Sequence, residues 1–435
     1  MASLHIKKFG PVLDSTDIEL TPLMILIGRQ SSGKSTFMKV LCFCRWIEKK
    51  IMISTDDIIN QYTHKSNFVK ELKKFHRLNN EYFSDETELK YDGDTISIEY
   101  TGVNNDAKIV RKKPFVEKRY NSKLCYIPAE RNLISAIRNV DKTYKASERD
   151  VLFNFIDEWD EAKESYTTEH PFKLAATGGF CYVNKSGADM LVREDGSETP
   201  AFYASSGMQS VMPMDVMTNY ITGCVGENAS LSMHERKEIS KSENDYTSRR
   251  LVYQSAQLFI EEPEQNLYPE SQKMVIMSIV SALKKALNKG SEQSTALITT
   301  HSPYVLSVVN VLLAAAVVTE KGLKQDVIDE EYVLSPSSIS GYYIDETGRF
   351  QNILDVEVPM LSGNNLDGVS DWVDDSISKL NDKLYAEPGN WKRQHTNPLM
   401  NDWKQKVFLL NSNLRSDPGS VQQRKVKNTY SLLTA

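Results

Sequence analysis

Cysteine is scarce in this chain: 5 in 435 residues, at Cys42, Cys44, Cys125, Cys181 and Cys224. The number is odd and none forms a C-x-x-C pair. That argues against a disulfide framework or a zinc ribbon and suits buried thiols in a reducing compartment. Long hydrophobic runs are missing too. The longest, Val305 to Val318, is short for a membrane span and is interrupted by Ser307 and Asn310. Met1 to Lys8 carries no secretory apolar core, so a cytoplasmic location without a membrane partner is expected. There is no internal repeat and no heptad run long enough for a coiled-coil arm. Nor is there a strong charge of one sign. The 52 Lys and Arg against 58 Asp and Glu give a formal net charge of −6, which excludes a whole-molecule polycation and leaves only a local basic groove for nucleic acid. What remains is 40% hydrophobic and 25% charged, enough for one large domain with insertions or for two domains.

Against that background Gly28-Arg29-Gln30-Ser31-Ser32-Gly33-Lys34-Ser35-Thr36 stands out. It fits G-x-x-x-x-G-K-[ST] and follows the apolar run Met24 to Ile27. Such a loop wraps backbone N–H groups around nucleotide phosphates, brings a lysine to the β and γ oxygens and offers a hydroxyl to Mg²⁺. Phe37 to Lys50 reads as the helix behind it, with Phe37, Val40, Leu41, Cys44 and Ile47 on one stripe. ATP and Mg²⁺ are therefore the expected ligands.

Three further segments carry chemistry. Leu258 to Glu262 is an apolar strand ending in two carboxylates. The first, Glu261, suits a hard metal through water, and the second, Glu262, suits an attacking water. Thr299-Thr300-His301-Ser302-Pro303 follows another buried strand and offers His301 to a γ-phosphate. Ser205-Ser206-Gly207-Met208-Gln209 opens a helix and makes a second anion seat. One nucleotide seldom needs two seats in one chain, so this seat is expected to close on ATP held by a second copy. Apolar strands alternating with amphipathic helices imply an α/β fold with a largely parallel sheet. Phe180 to Asn184, Asp189 to Arg193 and Pro200 to Tyr203 read as a meander, and residues 55–90 as polar and helix-like.

Together these motifs, in this order, resemble the ABC-type ATPases of the SMC, RecF and OLD group. Glu261 to Pro269 is especially similar to OLD-like ATPases, including the PtuA and AriA ATPase subunits of bacterial anti-phage systems. The resemblance implies an ABC-type P-loop ATPase fold with a mixed parallel sheet, an antiparallel β lobe and helical insertions near 55–94, 133–170 and 226–250. It also implies roles. Residues Gly28 to Thr36 hold the phosphates, with Lys34 on the β and γ groups and Ser35 on Mg²⁺. Glu261 holds the metal through water, Glu262 polarises the attacking water, and His301 touches the γ-phosphate. Ser205, Ser206, Gly207 and Gln209 act on the partner's ATP, and Asn266 and Leu267 fall in a loop that communicates across a dimer. Departures exist: Glu261 replaces a commoner Asp, Ser206 a commoner Gly, and Ala204 a leading Leu. Gln61 is a positional guess for a lid glutamine. Arg131, in Tyr126-Ile127-Pro128-Ala129-Glu130-Arg131, is read as reaching a phosphate or a partner, or as a surface arginine.

No glutamate with a downstream Asp-x-Asp pair follows His301, so an appended two-metal nuclease domain is not expected. A stand-alone ATPase domain at 1–386 is expected, forming a homo-oligomer and controlling an effector protein such as a nuclease in answer to a phage-protein trigger. Residues 387–435 hold 8 basic against 3 acidic residues, with Trp391 and Trp403 between them. They form a basic appendage for partner docking or nucleic acid, or one that is merely solvated. A RecF-like DNA-repair ATPase and an ATP-holding scaffold with little turnover stay open as alternatives.

Overall fold

The helix Lys34–Ile53 lies between two β-sheets, an arrangement that follows from where the apolar residues fall. The computed structural model describes residues 2–53, 57–64, 66–112, 121–137, 150–229, 252–289, 293–355, 359–363 and 375–380. The first strands are β1 (Ser3–Phe9), β2 (Val12–Asp14), β3 (Ile18–Glu19) and β4 (Leu23–Gly28). Helices α1 (Lys34–Ile53), α2 (Asp57–Thr63) and α3 (Asn67–His76) follow, then β5 (Glu88–Asp92), β6 (Ile96–Thr101), β7 (Asp106–Arg111) and β8 (Asn121–Ile127). Next come α4 (Leu133–Ala136), α5 (Val151–Lys163) and the meander β9 (Phe172–Lys173), β10 (Cys181–Lys185), β11 (Ala188–Val192) and β12 (Glu198–Pro200). After α6 (Ser206–Gly223) the chain runs through β13 (Tyr253–Glu261), α7 (Pro269–Asn288), β14 (Thr295–Thr300) and α8 (Pro303–Glu320). It closes with β15 (Ile339–Ile344), β16 (Phe350–Asn352), β17 (Leu354–Asp355) and β18 (Met360–Leu361).

The central sheet has the order β16-β15-β4-β14-β13-β8. All neighbours are parallel except the β15–β16 hairpin. Its strands are buried on both faces, so apolar residues run continuously and their alternation only divides them between two cores. Leu23, Ile25 and Ile27 of β4 pack with α5, α6, α7 and α8. Met24 and Leu26 pack with α1 and the antiparallel sheet β2-β1-β5-β6-β7, to which β3 adds.

This second sheet changes the reading of α1. Phe37, Val40, Leu41, Cys44 and Ile47 are buried as their spacing implies, but so are Met38, Cys42, Phe43 and Ile51. Even Arg45 and Glu48 are buried. They survive there because Arg45 pairs with Glu48 at 3.1 Å and with Asp94, while Glu48 accepts from the Thr95 amide at 2.7 Å and hydroxyl at 2.8 Å. The lobe covers the side that the sequence pattern left to solvent.

Other boundaries shift. Glu88–Asp92 is a strand paired with β1, where composition suggested helix. The third meander strand stops at Pro200, and Ala201–Tyr203 is a 3-10 turn leading to α6. Helix α8 is apolar enough by length and composition to cross a membrane, with mean hydropathy 1.7 over 18 residues. Its Val305, Leu306, Val309 and Leu313 lie in the core, and Asn310 exchanges hydrogen bonds with the Leu361 backbone at 2.7 and 3.0 Å. The chain divides into a compact unit Met1–Asp367, which holds every element above, and a unit Gly368–Ala435, of which only residues 375–380 are described and are helical. The boundary expected at 386, the basic appendage 387–435 and most of the segment 226–250 lie outside the described residues.

Candidate functional site

Three parallel strands end side by side, and each ends in a candidate group. Register places Ile27 beside Thr300 and Thr299 beside Glu261, so the phosphate loop, the histidine and the two carboxylates meet at the carboxyl edge of the sheet. That is where open α/β sheets bind ligands. The loop turns with Ser31 at φ 60° and Gly33 at φ 111°, the latter a conformation that glycine adopts without strain. The Phe37 amide donates to the Gly33 carbonyl at 2.9 Å, starting α1. The helix's first N–H groups and the positive end of its dipole are thus free for an anion. The buried Ser32 hydroxyl has no hydrogen-bond partner among the described residues, which leaves it able to bond a ligand in the loop.

Lys34 is the first residue of α1 and is buried. Its ammonium donates to the carbonyls of Gly28 at 2.8 Å and Arg29 at 2.7 Å and lies 3.5 Å from His301 Nδ1. Burial pushes its pKa down to about 8, against the opposing pull of Glu262, Glu264 and Glu261. His301 Nε2 lies 3.2 Å from Glu262 Oε1. A neutral ring carrying its proton on Nε2 satisfies both contacts, donating to the carboxylate and accepting from the lysine. The result is a Glu262–His301–Lys34 relay across the three strand ends. The hydrogen bond from His301 holds the Glu262 carboxyl below the usual glutamate range, with burial opposing and the charges of Lys34 and Arg131 helping.

Glu261 and Glu262 face different surroundings. Glu261 is buried, and its carboxylate accepts from the Tyr126 hydroxyl at 2.7 Å and the Ala129 amide at 3.1 Å. That contact burdens the Tyr126 phenol, whose pKa is raised first by burial and then by Glu261. Glu262 is half-exposed and turns away through a left-handed backbone, φ 42°. Glu264 braces the histidine loop by accepting from the Thr300 hydroxyl at 2.7 Å and the His301 amide at 2.8 Å. Among the described residues no cluster of three or more His, Cys, Asp or Glu forms a metal cage. Mg²⁺ does not require one, because it keeps waters and takes one or two carboxylates with phosphate oxygens.

Arg131 is neither of the things its position suggested. It is wholly buried and bonds backbone carbonyls, touching no surface. Burial pushes its pKa down to about 10, opposed by the surrounding glutamates, so it stays charged at neutral pH. Gln61, the guessed lid glutamine, is exposed on α2 and is not among the residues that line the cleft.

The cleft over the loop measures about 670 Å³. One wall is Gln30, Ser31, Gly33 to Thr36, Lys39, Glu262 and His301. The other is Gly10 and Pro11 with Asn79, Glu81 and Tyr82, from the turns of the antiparallel sheet. Composition missed Lys39, Asn79 and Tyr82. Lys39 lies one turn into the helix that the loop opens, whereas Asn79 and Tyr82 lie in a stretch with no motif and become neighbours of the loop only when the two sheets close on α1. A clue was available only in the Gly10-Pro11 turn, whose glycine admits the Tyr82 ring: a Cβ there would meet it at 2.4 Å.

The Ser205–Gln209 segment does not line this cleft. Ser205 caps α6, its hydroxyl accepting from the Met208 amide at 3.4 Å, and Ser205 and Ser206 are exposed. Gly207 lies against the Asn266 carbonyl, which a Cβ would meet at 2.9 Å. The Gln209 amide donates to Ala201 and Phe202 carbonyls at 3.2 and 3.0 Å. So the segment and the Asn266–Leu267 loop are in contact, apart from their own chain's phosphate loop.

The sheet order, the loop at the end of β4, the carboxylates after β13, the histidine after β14 and the antiparallel lobe define an ABC-type P-loop ATPase fold. The chain belongs to the family described as "AAA domain, putative AbiEii toxin, Type IV TA system", which matches residues 23–307. No curated protein matches the sequence. Solved structures similar to it include the SMC head domain from Thermotoga maritima, at 9% identity and TM-score 0.32, covering 78% of this chain and 93% of that one. An Smc head domain with an extended coiled coil, bound to the C-terminal domain of ScpA from Pyrococcus furiosus, is 10% identical with TM-score 0.37 and coverage of 86% and 100%. A bacterial ABC transporter cassette in a dimeric structure is 11% identical with TM-score 0.28 and coverage of 81% and 97%.

Proposed function

We propose that the protein binds Mg-ATP in the cleft over Gly28 to Thr36 and hydrolyses it in a homodimer or larger assembly. The observation that carries this reading is the Glu262–His301–Lys34 relay at the mouth of the phosphate loop. Lys34 turns from the Gly28 and Arg29 carbonyls to the β and γ oxygens. Ser35 and, through water, Glu261 would hold Mg²⁺, which would neutralise charge on the phosphates when bound. Glu262 takes a proton from the attacking water as its oxygen bonds to the γ-phosphorus, and the bond to the β–γ bridging oxygen breaks to leave ADP and phosphate. His301 holds Glu262 in place through its Nε2–H, and it reaches the γ-phosphate as a donor only when Nδ1, left by Lys34, also carries a proton. Ser205, Ser206 and Gly207, lying outside their own cleft, complete the site of a second copy.

The wider role is control of an effector protein, of which a nuclease is the first candidate, in cytoplasmic defence against phage. The motif resemblance to OLD-like and AriA- or PtuA-type subunits supports it, as does a family description that names a toxin–antitoxin system. The test is the Glu262→Gln variant. It should bind ATP as the parent does, lose turnover by about 100-fold or more, and accumulate ATP-dependent dimers in light scattering. Unchanged turnover would end the assignment of Glu262, and a monomer under saturating ATP would end the shared site.

A further inference from the structure

We propose that Arg131 is a positioning residue that sets the catalytic carboxylate and ties it to the helix carrying the second anion seat. The inference rests on the ATPase reading above and deepens it. Arg131 is 0% exposed, yet among the described residues it forms no ion pair at hydrogen-bond distance. Its hydrogen bonds there go to backbone carbonyls: Nε donates to Ser210 at 3.0 Å, one terminal nitrogen to Glu261 at 2.8 Å and Pro128 at 3.2 Å, and the other to Glu262 at 2.8 Å.

These carbonyls come from three places that the reaction needs to keep in register. Pro128 begins the turn whose Ala129 amide holds the Glu261 carboxylate. Glu261 and Glu262 are the strand end itself. Ser210 lies in the first turns of α6, behind Ser205 to Gly207. The Glu262 peptide is gripped on both sides, its amide donating to the Thr299 carbonyl at 2.9 Å and its carbonyl held by Arg131. A non-glycine residue at φ 42° persists only where its surroundings dictate it, and Arg131 supplies part of that constraint, beside the Gln265 amide, which donates to the same carbonyl at 3.0 Å. A fork of planar donors can hold adjacent carbonyls and a third from another helix at once, whereas an ammonium cannot reproduce that geometry. When the segment 205–207 is engaged by a second copy's nucleotide, movement of the start of α6 is passed to Glu262 through this guanidinium, beside the packing of Gly207 on the Asn266 carbonyl.

The test is a double-mutant cycle on the full chain. Arg131→Lys and Arg131→Gln are each made in the parent and in the Glu262→Gln background. ATP affinity, ATP-driven dimerisation and single-turnover hydrolysis are measured at saturating protein and nucleotide. Expected is a fall in hydrolysis of roughly 10- to 100-fold in the parent, ATP affinity within about threefold, and little further loss beside Glu262→Gln, because both changes remove one function. Equal losses in both backgrounds would make Arg131 a general stabilising residue and overturn the proposal. So would failure of both Arg131 variants to fold, or a loss of affinity with hydrolysis intact. Ser278→Ala serves as control: it loosens α6 through Asp215 without touching Arg131, and it should slow hydrolysis less than Arg131→Lys at equal loss of stability. A parent protein that does not hydrolyse ATP, or a Lys34→Ala variant that still does, would sink the ATPase reading itself, an outcome separate from these.

Discussion

ATP affinity should depend on pH through one buried lysine. Lys34 has a pKa of about 8 in the free protein because burial penalises its charge more than Glu262, Glu264 and Glu261 favour it. A bound triphosphate adds several negative charges within reach of the ammonium and raises that pKa. The protonated form therefore binds ATP more tightly, and above the free pKa each binding event takes up a proton. At pKa 8 about nine-tenths of Lys34 is charged at about pH 7 and about one-tenth at about pH 9, so affinity should fall roughly tenfold, or about 1.4 kcal/mol, over that interval. The phosphate groups do not confound the change, since their last ionisation lies near ~6. Titration with a fluorescent ATP analogue at several pH values measures the slope, and calorimetry in buffers of different ionisation heat counts the protons. Lys34→Arg, whose charge cannot be removed in this range, should flatten the profile. A flat profile in the parent, or the same fall in Lys34→Arg, would show that another group titrates and that Lys34 is charged throughout.

Two other outcomes complete the set of expectations raised with Glu262 and Arg131. Lys34→Ala mixed with a Ser206→Arg, Gly207→Val double variant, each inactive alone, should recover up to about a quarter of parental turnover under subunit exchange, since one of two composite sites in each mixed dimer is then intact; no recovery would count against a site shared between copies. Phe43→Ala should cost about 3–5 kcal/mol of stability without altering nucleotide contacts, because Phe43 is wholly buried against Trp46, Phe68 and Phe75 at centroid distances of 5.9, 5.4 and 6.1 Å. Urea unfolding measures it, and a loss below 1 kcal/mol would mean that the lobe is not anchored through this ring.

Some of this chain is determined locally, and that part was legible in order along the sequence. Gly28 to Thr36 makes its loop from its own glycines and the helix it opens. Glu261-Glu262 and His301 follow apolar runs that can only be buried strands, and a strand end is where a side chain can leave the sheet. The parallel sheet followed from strands alternating with helices. What the sequence could not say is which surfaces meet. Residues 79–82 carry no motif, and Tyr82 becomes part of the cleft only because the antiparallel sheet folds over α1. The same closure buries Arg45 and Glu48 on a helix face that reads as exposed. Arg131 shows the difference most sharply. An arginine after a strand reads as a surface charge, because burying a cation is costly unless its donors find acceptors. Only the tertiary structure brings the Ser210, Glu261 and Glu262 carbonyls to one point, and their convergence makes that burial affordable.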